Sequence, residues 1–183
     1  MKTTANWLNE LCPANLSVEQ IVTILMRAGF EVESVDALDG DALLSLEITA
    51  NHADWLGAIG IAREIAAVTG IPACLPPSNL IEEGEPIEKL TSVDVLDFEL
   101  CPLYIARVVT GVKIGESPQW LQKRLKNIGL RPVNAVVDVT NYLMYETGQP
   151  LHAFDLNKLE EKRIVVRASN KGEKMIAING KEL

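Results

Sequence analysis

Residues 136–155 read VVDVTNYLMYETGQPLHAFD and set several polar side chains beside one of the chain's two histidines. The spacing predicts a helix from Asn134 to a stop at Gly148. Its apolar face is formed by Val136, Val139 and Leu143. Its polar face is formed by Asp138, Asn141 and Tyr145. A polar stripe within apolar surroundings is typical of a small-molecule pocket.

The histidine of this stretch, His152, follows the helix breakers Gly148 and Pro150. The chain could turn back there and bring His152 close to the polar stripe and to Thr140. A structural explanation competes with this one: Asp138 and Asn141 would cap neighbouring turns, and His152 would be a partly buried histidine with its hydrogen bonds satisfied. Spacing alone favours the structural explanation.

Composition limits the classes of function. The 183 residues suffice for one compact domain or two small ones, and 48% of them are apolar, as in a globular core. The net charge of −8 argues against a broad basic surface for nucleic acid, so any RNA contact should be local, and no DNA partner is expected. Three widely spaced cysteines suggest neither a disulfide framework nor a zinc site, and no membrane span is evident, so we expect a cytoplasmic protein.

The first 90 residues predict two helices and a strand pair. Ser17 and Gln20 form a capping box for a helix that ends at Gly29. Residues 30–35 and 43–49 predict strands joined at the turn 39–41. The second helix is expected to start at Asn51 and Asp54 and to end at Gly70, and residues 71–90 to form a linker. Its apolar stripe is formed by Ile61, Ile65 and Val68.

The remaining elements predict a mixed domain. Residues 93–114 predict a strand pair, and the Ser117-Pro118 pair starts a helix that ends at Gly129. Residues 163–168 and 174–178 predict two more strands, and Asn179-Gly180 is a type I′ turn signal with three residues after it. Because such a hairpin would leave an open strand edge, we expect the sequence to stop inside a domain.

Three blocks of sequence resemble the phenylalanyl-tRNA synthetase beta subunit, in the order found in that family. The first block is TTANWLNEL with IVTILMRAGFEVESVD, the second is LEITANHADWLGAIGIAREIA, and the third begins at CPLYIARVV and runs through GQPLHAFD. The resemblance implies an α+β fold in three parts: a small helix-strand N-terminal domain over residues 1–72, a linker over 73–92, and an incomplete mixed α/β tRNA-editing domain over 93–183.

The resemblance also implies a function and a site. Family members take part in aminoacylation of tRNA(Phe), and their editing domain hydrolyses Tyr-tRNA(Phe). Thr140, Asn141 and His152 match family pocket positions. Asn141 and Thr140 would hold the ester carbonyl or terminal ribose, and His152 would orient water or a ribose hydroxyl. The residues that recognise the tyrosine hydroxyl in the family lie beyond Leu183, so the isolated chain is expected to be inactive.

The implied partners are a synthetase alpha subunit, in an assembly of two alpha and two beta chains, and tRNA(Phe). No cofactor or metal is expected in this chain, since ATP and magnesium belong to the alpha subunit of the whole complex. The chain departs from the family by lacking an oligonucleotide-fold insertion between residues 37 and 42, and by Leu103 where a basic residue is common. The alternatives are therefore a free-standing, non-catalytic binding or assembly module and, less favoured, a stand-alone editing hydrolase.

Two further groups of residues have a structural explanation. His52 lies where the second helix begins, and capping explains its neighbours Asn51 and Asp54. The one dense basic patch, Lys123, Arg124 and Lys126, lies at a helix carboxyl end, where positive charge is favoured by the helix dipole. For this patch a solvated helix end is the favoured interpretation over a phosphate contact.

Overall fold

The computed structural model describes residues 1–177 and 180–182, which group into two compact units. The first unit contains residues 1–80 and 113–153, and the second contains residues 81–112 and those from Phe154 onward. Helices and strands occur together, so the predicted α+β class is confirmed. The domain boundaries near residues 72 and 92 stay a prediction, although residues 113–153 group with the start of the chain.

Five helices and five strands are present among the described residues. The helices are α1 (Ala5–Leu11), α2 (Val18–Arg27), α3 (Ala58–Thr69), α4 (Gln119–Asn127) and α5 (Ala135–Thr147). The strands are β1 (Lys2–Thr4), β2 (Glu31–Leu38), β3 (Asp41–Glu47), β4 (Ser92–Val95) and β5 (Arg163–Val166).

The sheet of the first unit is antiparallel in the order β1-β3-β2. Its β2–β3 hairpin confirms the predicted strand pair, and Leu38 pairs with Asp41 across a two-residue turn. Gly40 takes the left-handed conformation, with φ of +70°, that such turns require. Asn6 secures the turn, because its amide donates to the Gly40 carbonyl at 2.8 Å.

Helix α2 follows its local signals closely. Ser17 accepts from the Gln20 N–H, and the Gln20 side chain accepts from the Ser17 N–H, as the capping box predicts. Ile21 and Leu25 are fully buried, which stabilises the fold by about 1.5–3 kcal/mol for each side chain. Gly29 ends the helix with φ of +101°.

The start predicted for α3 is wrong. Residues Ala53–Trp55 form a separate 3-10 turn, and α3 begins at Ala58 with Gly57 as its N-cap, so Asn51 does not cap it. The backbone folds back tightly here: a Cβ at Gly60 would lie 1.7 Å from the Asp54 carbonyl oxygen. The end at Gly70 is confirmed. Val68, assigned to the apolar stripe, is 54% exposed, and Ala58 and Ala62 join Ile61 and Ile65 in the core instead.

Helix α4 contributes to the core of the first unit. Leu121, Leu125 and Ile128 are almost completely buried in the same cluster as Trp7 and Leu8 of α1. The helix ends at Gly129 as predicted, with φ of +86°. Pro118, predicted as the first helical residue, is the N-cap instead, so the helix begins one residue later, at Gln119.

The second unit has a two-stranded parallel sheet, in which β4 pairs with β5 from Ser92–Arg163 to Val95–Val166. Strand β5 was predicted, but the strand pair over residues 93–114 is wrong: only β4 forms there. Leu103 and Ile105 are 73% and 80% exposed, and β-branched sequence forms a strand only where a partner and a buried face exist.

The predicted last hairpin is described only in part. Residues 174–177 do not form the predicted strand. An isolated antiparallel bridge pairs Ile176 with Glu182 instead. Ile178 and Asn179 lie outside the described residues, so the strand end at Ile178 and the Asn179-Gly180 turn remain predictions.

Candidate functional site

Helix α5 carries two of the three predicted site residues, and local signals define both of its ends. The Asn134 side chain accepts from the N–H groups of Val136 and Val137 at 3.0 and 3.1 Å. At the other end Gly148 is left-handed, and its N–H donates to the Met144 carbonyl. The predicted bounds of this helix are confirmed.

The face that α5 turns inward differs from the predicted apolar face. Val139 is 44% exposed, whereas Asp138 is 1% and Glu146 is 4% exposed. Two donors compensate the burial of Asp138: the Ser117 hydroxyl at 2.5 Å and the Val133 N–H at 2.8 Å. Asp138 therefore joins the helix to the segments that precede α4 and α5, in agreement with the structural explanation of this residue.

Tyr142 anchors the middle of α5. Its hydroxyl donates to the buried Glu146 carboxylate one turn further on. Burial raises the pKa of Tyr142 well above its ordinary value, and the hydrogen bond and negative charge of Glu146 raise it further. The tyrosine ring stacks on Trp7, with centroids 5.3 Å apart, and lies nearly perpendicular to the Trp120 ring, with centroids 5.6 Å apart.

The Trp7 ring also lies under the Arg124 guanidinium, at 4.8 Å. The Arg124 Nη2 group donates to both carboxylate oxygens of Glu10, at 2.6 and 2.8 Å. This aromatic cluster was not foreseen from the sequence. The four-residue spacing of Tyr142 and Glu146 was the available signal, because such pairs meet on one face of a helix.

Thr140 and Asn141 are both half-buried but point in different directions. Successive helical residues are roughly 100° apart, so Thr140 lies on the opposite side of α5 from Asp138, and Asn141 lies on its flank. The Thr140 hydroxyl donates to the Val137 carbonyl at 2.8 Å. Its proton is therefore engaged, and the oxygen can still accept a hydrogen bond from a ligand.

His152 is exposed in the segment that follows Gly148. The side-chain hydrogen bond of Thr140 in the described part of the chain stays within α5. The structure thus places Thr140 and Asn141 side by side on one helix, but it does not join the three predicted residues in one hydrogen-bonded cluster. Two surface grooves lined by described residues lie elsewhere, one along α4 and one beside β4.

His52, considered as a binding residue, is held by packing. Its ring stacks on Trp55 with the ring centroids 3.6 Å apart. Phe30 also stacks on Trp55, with centroids 3.9 Å apart. The Trp55 indole N–H donates to Glu64 at 3.2 Å. This aromatic stack accounts for the separate turn before α3.

The described residues offer no group of three or more His, Cys, Asp or Glu side chains that could hold a metal ion. The three cysteines are free thiols. Within residues 1–177 and 180–182, every helix is too short or too polar to cross a bilayer.

Comparison with known proteins assigns the family. A model of the B3/4 domain matches residues 100–183, which include α4, α5 and His152. The chain is 45% identical over 179 residues to the phenylalanine--tRNA ligase beta subunit of Rhodopirellula baltica, covering 98% of this chain and 26% of that relative. The chain belongs to the phenylalanine--tRNA ligase beta-subunit family.

Two other members show the same relation. The beta subunit of Syntrophus aciditrophicus is 52% identical over 148 residues, which are 80% of this chain and 18% of that subunit. The beta subunit of Moorella thermoacetica is 46% identical over 165 residues, which are 90% and 20% of the two chains. The chain thus spans about a quarter or less of the length of these family members.

Proposed function

We propose that this chain is a portion of a phenylalanine--tRNA ligase beta subunit that supports aminoacylation of tRNA(Phe) and hydrolysis of the mischarged ester Tyr-tRNA(Phe). The observation that carries the proposal is the placement of Thr140 and Asn141 on the anchored helix α5, inside the B3/4 match. The proposed setting is the cytoplasm, in an assembly of two alpha and two beta subunits.

The anchoring of α5 suits ester hydrolysis. A hydrolytic site gains most from donors that are already fixed before charge develops on the carbonyl oxygen. Asp138 and Tyr142 fix the rotation of the helix, and with it the side of α5 on which Asn141 lies. In our proposal the Asn141 N–H groups donate to the ester carbonyl, and the engaged Thr140 hydroxyl accepts from the terminal ribose.

His152 has a different part in the proposed reaction. An exposed imidazole can exchange protons with solvent and orient a water molecule or a ribose hydroxyl. Attack of water on the ester carbon releases tyrosine and the free ribose hydroxyl of the tRNA, and needs no protein nucleophile. We propose that no cofactor acts in this chain, and that the ATP and magnesium used in aminoacylation bind the alpha subunit.

A chimeric enzyme tests the proposal. The segment of the R. baltica beta subunit that matches this chain is replaced by residues 1–183, and the subunit is purified with its alpha partner. We expect the complex to form Phe-tRNA(Phe) and to hydrolyse Tyr-tRNA(Phe). Asn141→Ala should slow hydrolysis by about a hundredfold, as expected for loss of an oxyanion donor, with aminoacylation unchanged.

The matched control is Asn170→Ala, an amide-to-alanine change in the second unit at an exposed position. It should leave both rates unchanged. Hydrolysis by the chimera that is insensitive to Asn141→Ala would remove the proposed role of this residue. A complex that aminoacylates tRNA(Phe) without hydrolysing the mischarged ester would instead identify the chain as an assembly module.

A further inference from the structure

The solvent-facing side of α4 carries an unusual set of side chains, which we call the α4 cationic face: Gln119, Trp120, Lys123 and Lys126. These residues are exposed, and Lys123 lies three or four positions from each of the other three, so they share one side of the helix. A shallow groove runs along this side; Trp120 lies outside its lining, which is formed by Glu116, Gln119, Gln122, Lys123, Lys126 and Asn127. All six residues that line the groove have polar or charged side chains.

The lysines of this face differ from the neighbouring arginine. Arg124 turns toward the protein, where it pairs with Glu10 and covers Trp7. Lys123 and Lys126 form no ion pair with any described residue, in a chain of net charge −8. Local positive charge that is left unpaired in an acidic protein is suited to an anionic partner.

A third cation converges on the same end of the helix. The Lys2 ammonium lies 3.9 Å from the position a Cβ would take at Gly129, directly after α4. Lys2 is distant in sequence, so the pattern of basic residues along the chain does not reveal it. The structure thus enlarges the basic patch that sequence alone explained as a solvated helix end.

Trp120 identifies the kind of anion. Its side chain is 57% exposed, although its edge contacts Tyr142. An exposed indole three residues from Lys123 offers a flat surface on which a nucleobase can stack while the lysines contact phosphates. An acidic protein segment would use the lysines but has no comparable use for the exposed ring.

We infer that the α4 cationic face binds a single-stranded segment of RNA, with a base on Trp120 and phosphates on Lys123 and Lys126. The inference rests on the proposed function, since a chain that acts on charged tRNA must hold RNA away from the ester as well. The amides of Gln119 and Asn127 supply donors and acceptors for ribose hydroxyls.

Fluorescence anisotropy with the 183-residue chain and a labelled, mixed-sequence 12-nucleotide RNA tests the inference. We expect Lys123→Gln/Lys126→Gln to weaken binding about tenfold or more at low salt. The slope of log Kd against log salt should fall by roughly 1.4, because two phosphate contacts of about 0.7 each are lost. Trp120→Leu should weaken binding about fivefold or more with an unchanged slope, since stacking is uncharged.

The matched control is Lys158→Gln/Lys171→Gln, which removes the same charge from exposed positions of the second unit. Its Kd should stay close to that of the parent chain, and melting temperatures establish that every variant is folded. Equal weakening by the control, or stronger competition by an oligoglutamate peptide than by unlabelled RNA, would overturn the inference.

The two proposals fail separately. RNA binding that depends on the α4 cationic face, in a chimera without ester hydrolysis, would contradict only the editing function. A chimera that hydrolyses the ester, but whose RNA affinity does not change on substitution of Lys123, Lys126 or Trp120, would contradict only the proposed RNA surface.

Discussion

The backbones of Gly57 and Gly148 are in direct contact: a Cβ at Gly57 would lie 2.4 Å from the Gly148 amide nitrogen and 2.8 Å from the Glu146 carbonyl oxygen. The amino end of α3 therefore meets the carboxyl end of α5, where their partial charges are of opposite sign and attract. This contact holds the carboxyl end of the candidate site helix against α3.

Gly57→Ala should lower the free energy of unfolding by about 1–3 kcal/mol, because the new methyl group meets backbone atoms that cannot move aside. All three tryptophans lie in the first unit, so urea denaturation followed by tryptophan fluorescence measures the effect there. Gly115→Ala is the control, since nothing lies within 4 Å of its Cβ position. Equal stability of the two variants would show that the helix ends separate easily.

Asp138→Ala should destabilise the first unit by about 3 kcal/mol. The change leaves the Ser117 hydroxyl and the Val133 N–H without their acceptor in a buried place. Asp138→Asn keeps one acceptor oxygen and should lose less. The same urea experiment measures both, and an Asn variant as unstable as the Ala variant would point to the charge rather than the hydrogen bonds.

Tyr142 should make the first unit less stable at alkaline pH. Its folded-state pKa is raised, so the stabilisation is complete below the unfolded pKa of about 10 and is lost as pH rises above it. The free energy of unfolding should therefore fall above about pH 10, and Tyr142→Phe should flatten that fall. Tyr104→Phe is the control, because Tyr104 lies in the second unit, whereas the tryptophans whose fluorescence reports unfolding lie in the first.

Glu173 provides a test in the second unit. The Arg167 guanidinium, which donates at 2.6 and 2.8 Å, and the Asn170 N–H lower the pKa of Glu173 to about 2. Arg167→Ala should raise this pKa toward the ordinary value of a glutamate, as followed by carboxyl NMR titration. Lys171→Ala removes a nearby charge that makes no such bond, and a similar rise in that variant would contradict the assignment.

Sequence predicts the elements whose signals are local. The capping box of Ser17 and Gln20 and the stops at Gly29, Gly70, Gly129 and Gly148 each concern one turn of chain, and each is present in the structure. The start of α3 was misplaced because the stack of His52 on Trp55 forms a separate turn. That contact overrides the capping preference of Asn51.

The candidate site was predictable only in part, because its supports come from distant residues. Periodicity placed Thr140 and Asn141 on α5 correctly. Periodicity also placed Val139 on the buried face and did not predict the burial of Asp138 and Glu146. A buried carboxylate needs hydrogen-bond donors, here Ser117 and Tyr142, and spacing along α5 does not fully reveal them.

The β2–β3 turn has an evolutionary consequence. Its two strand ends, at Leu38 and Asp41, are paired neighbours, and Gly40 faces open space. A polypeptide can therefore leave the sheet and return at adjacent points, so any module with neighbouring termini could be gained or lost there while the sheet register is kept. An insertion at this hairpin would therefore leave the core of the first unit unchanged.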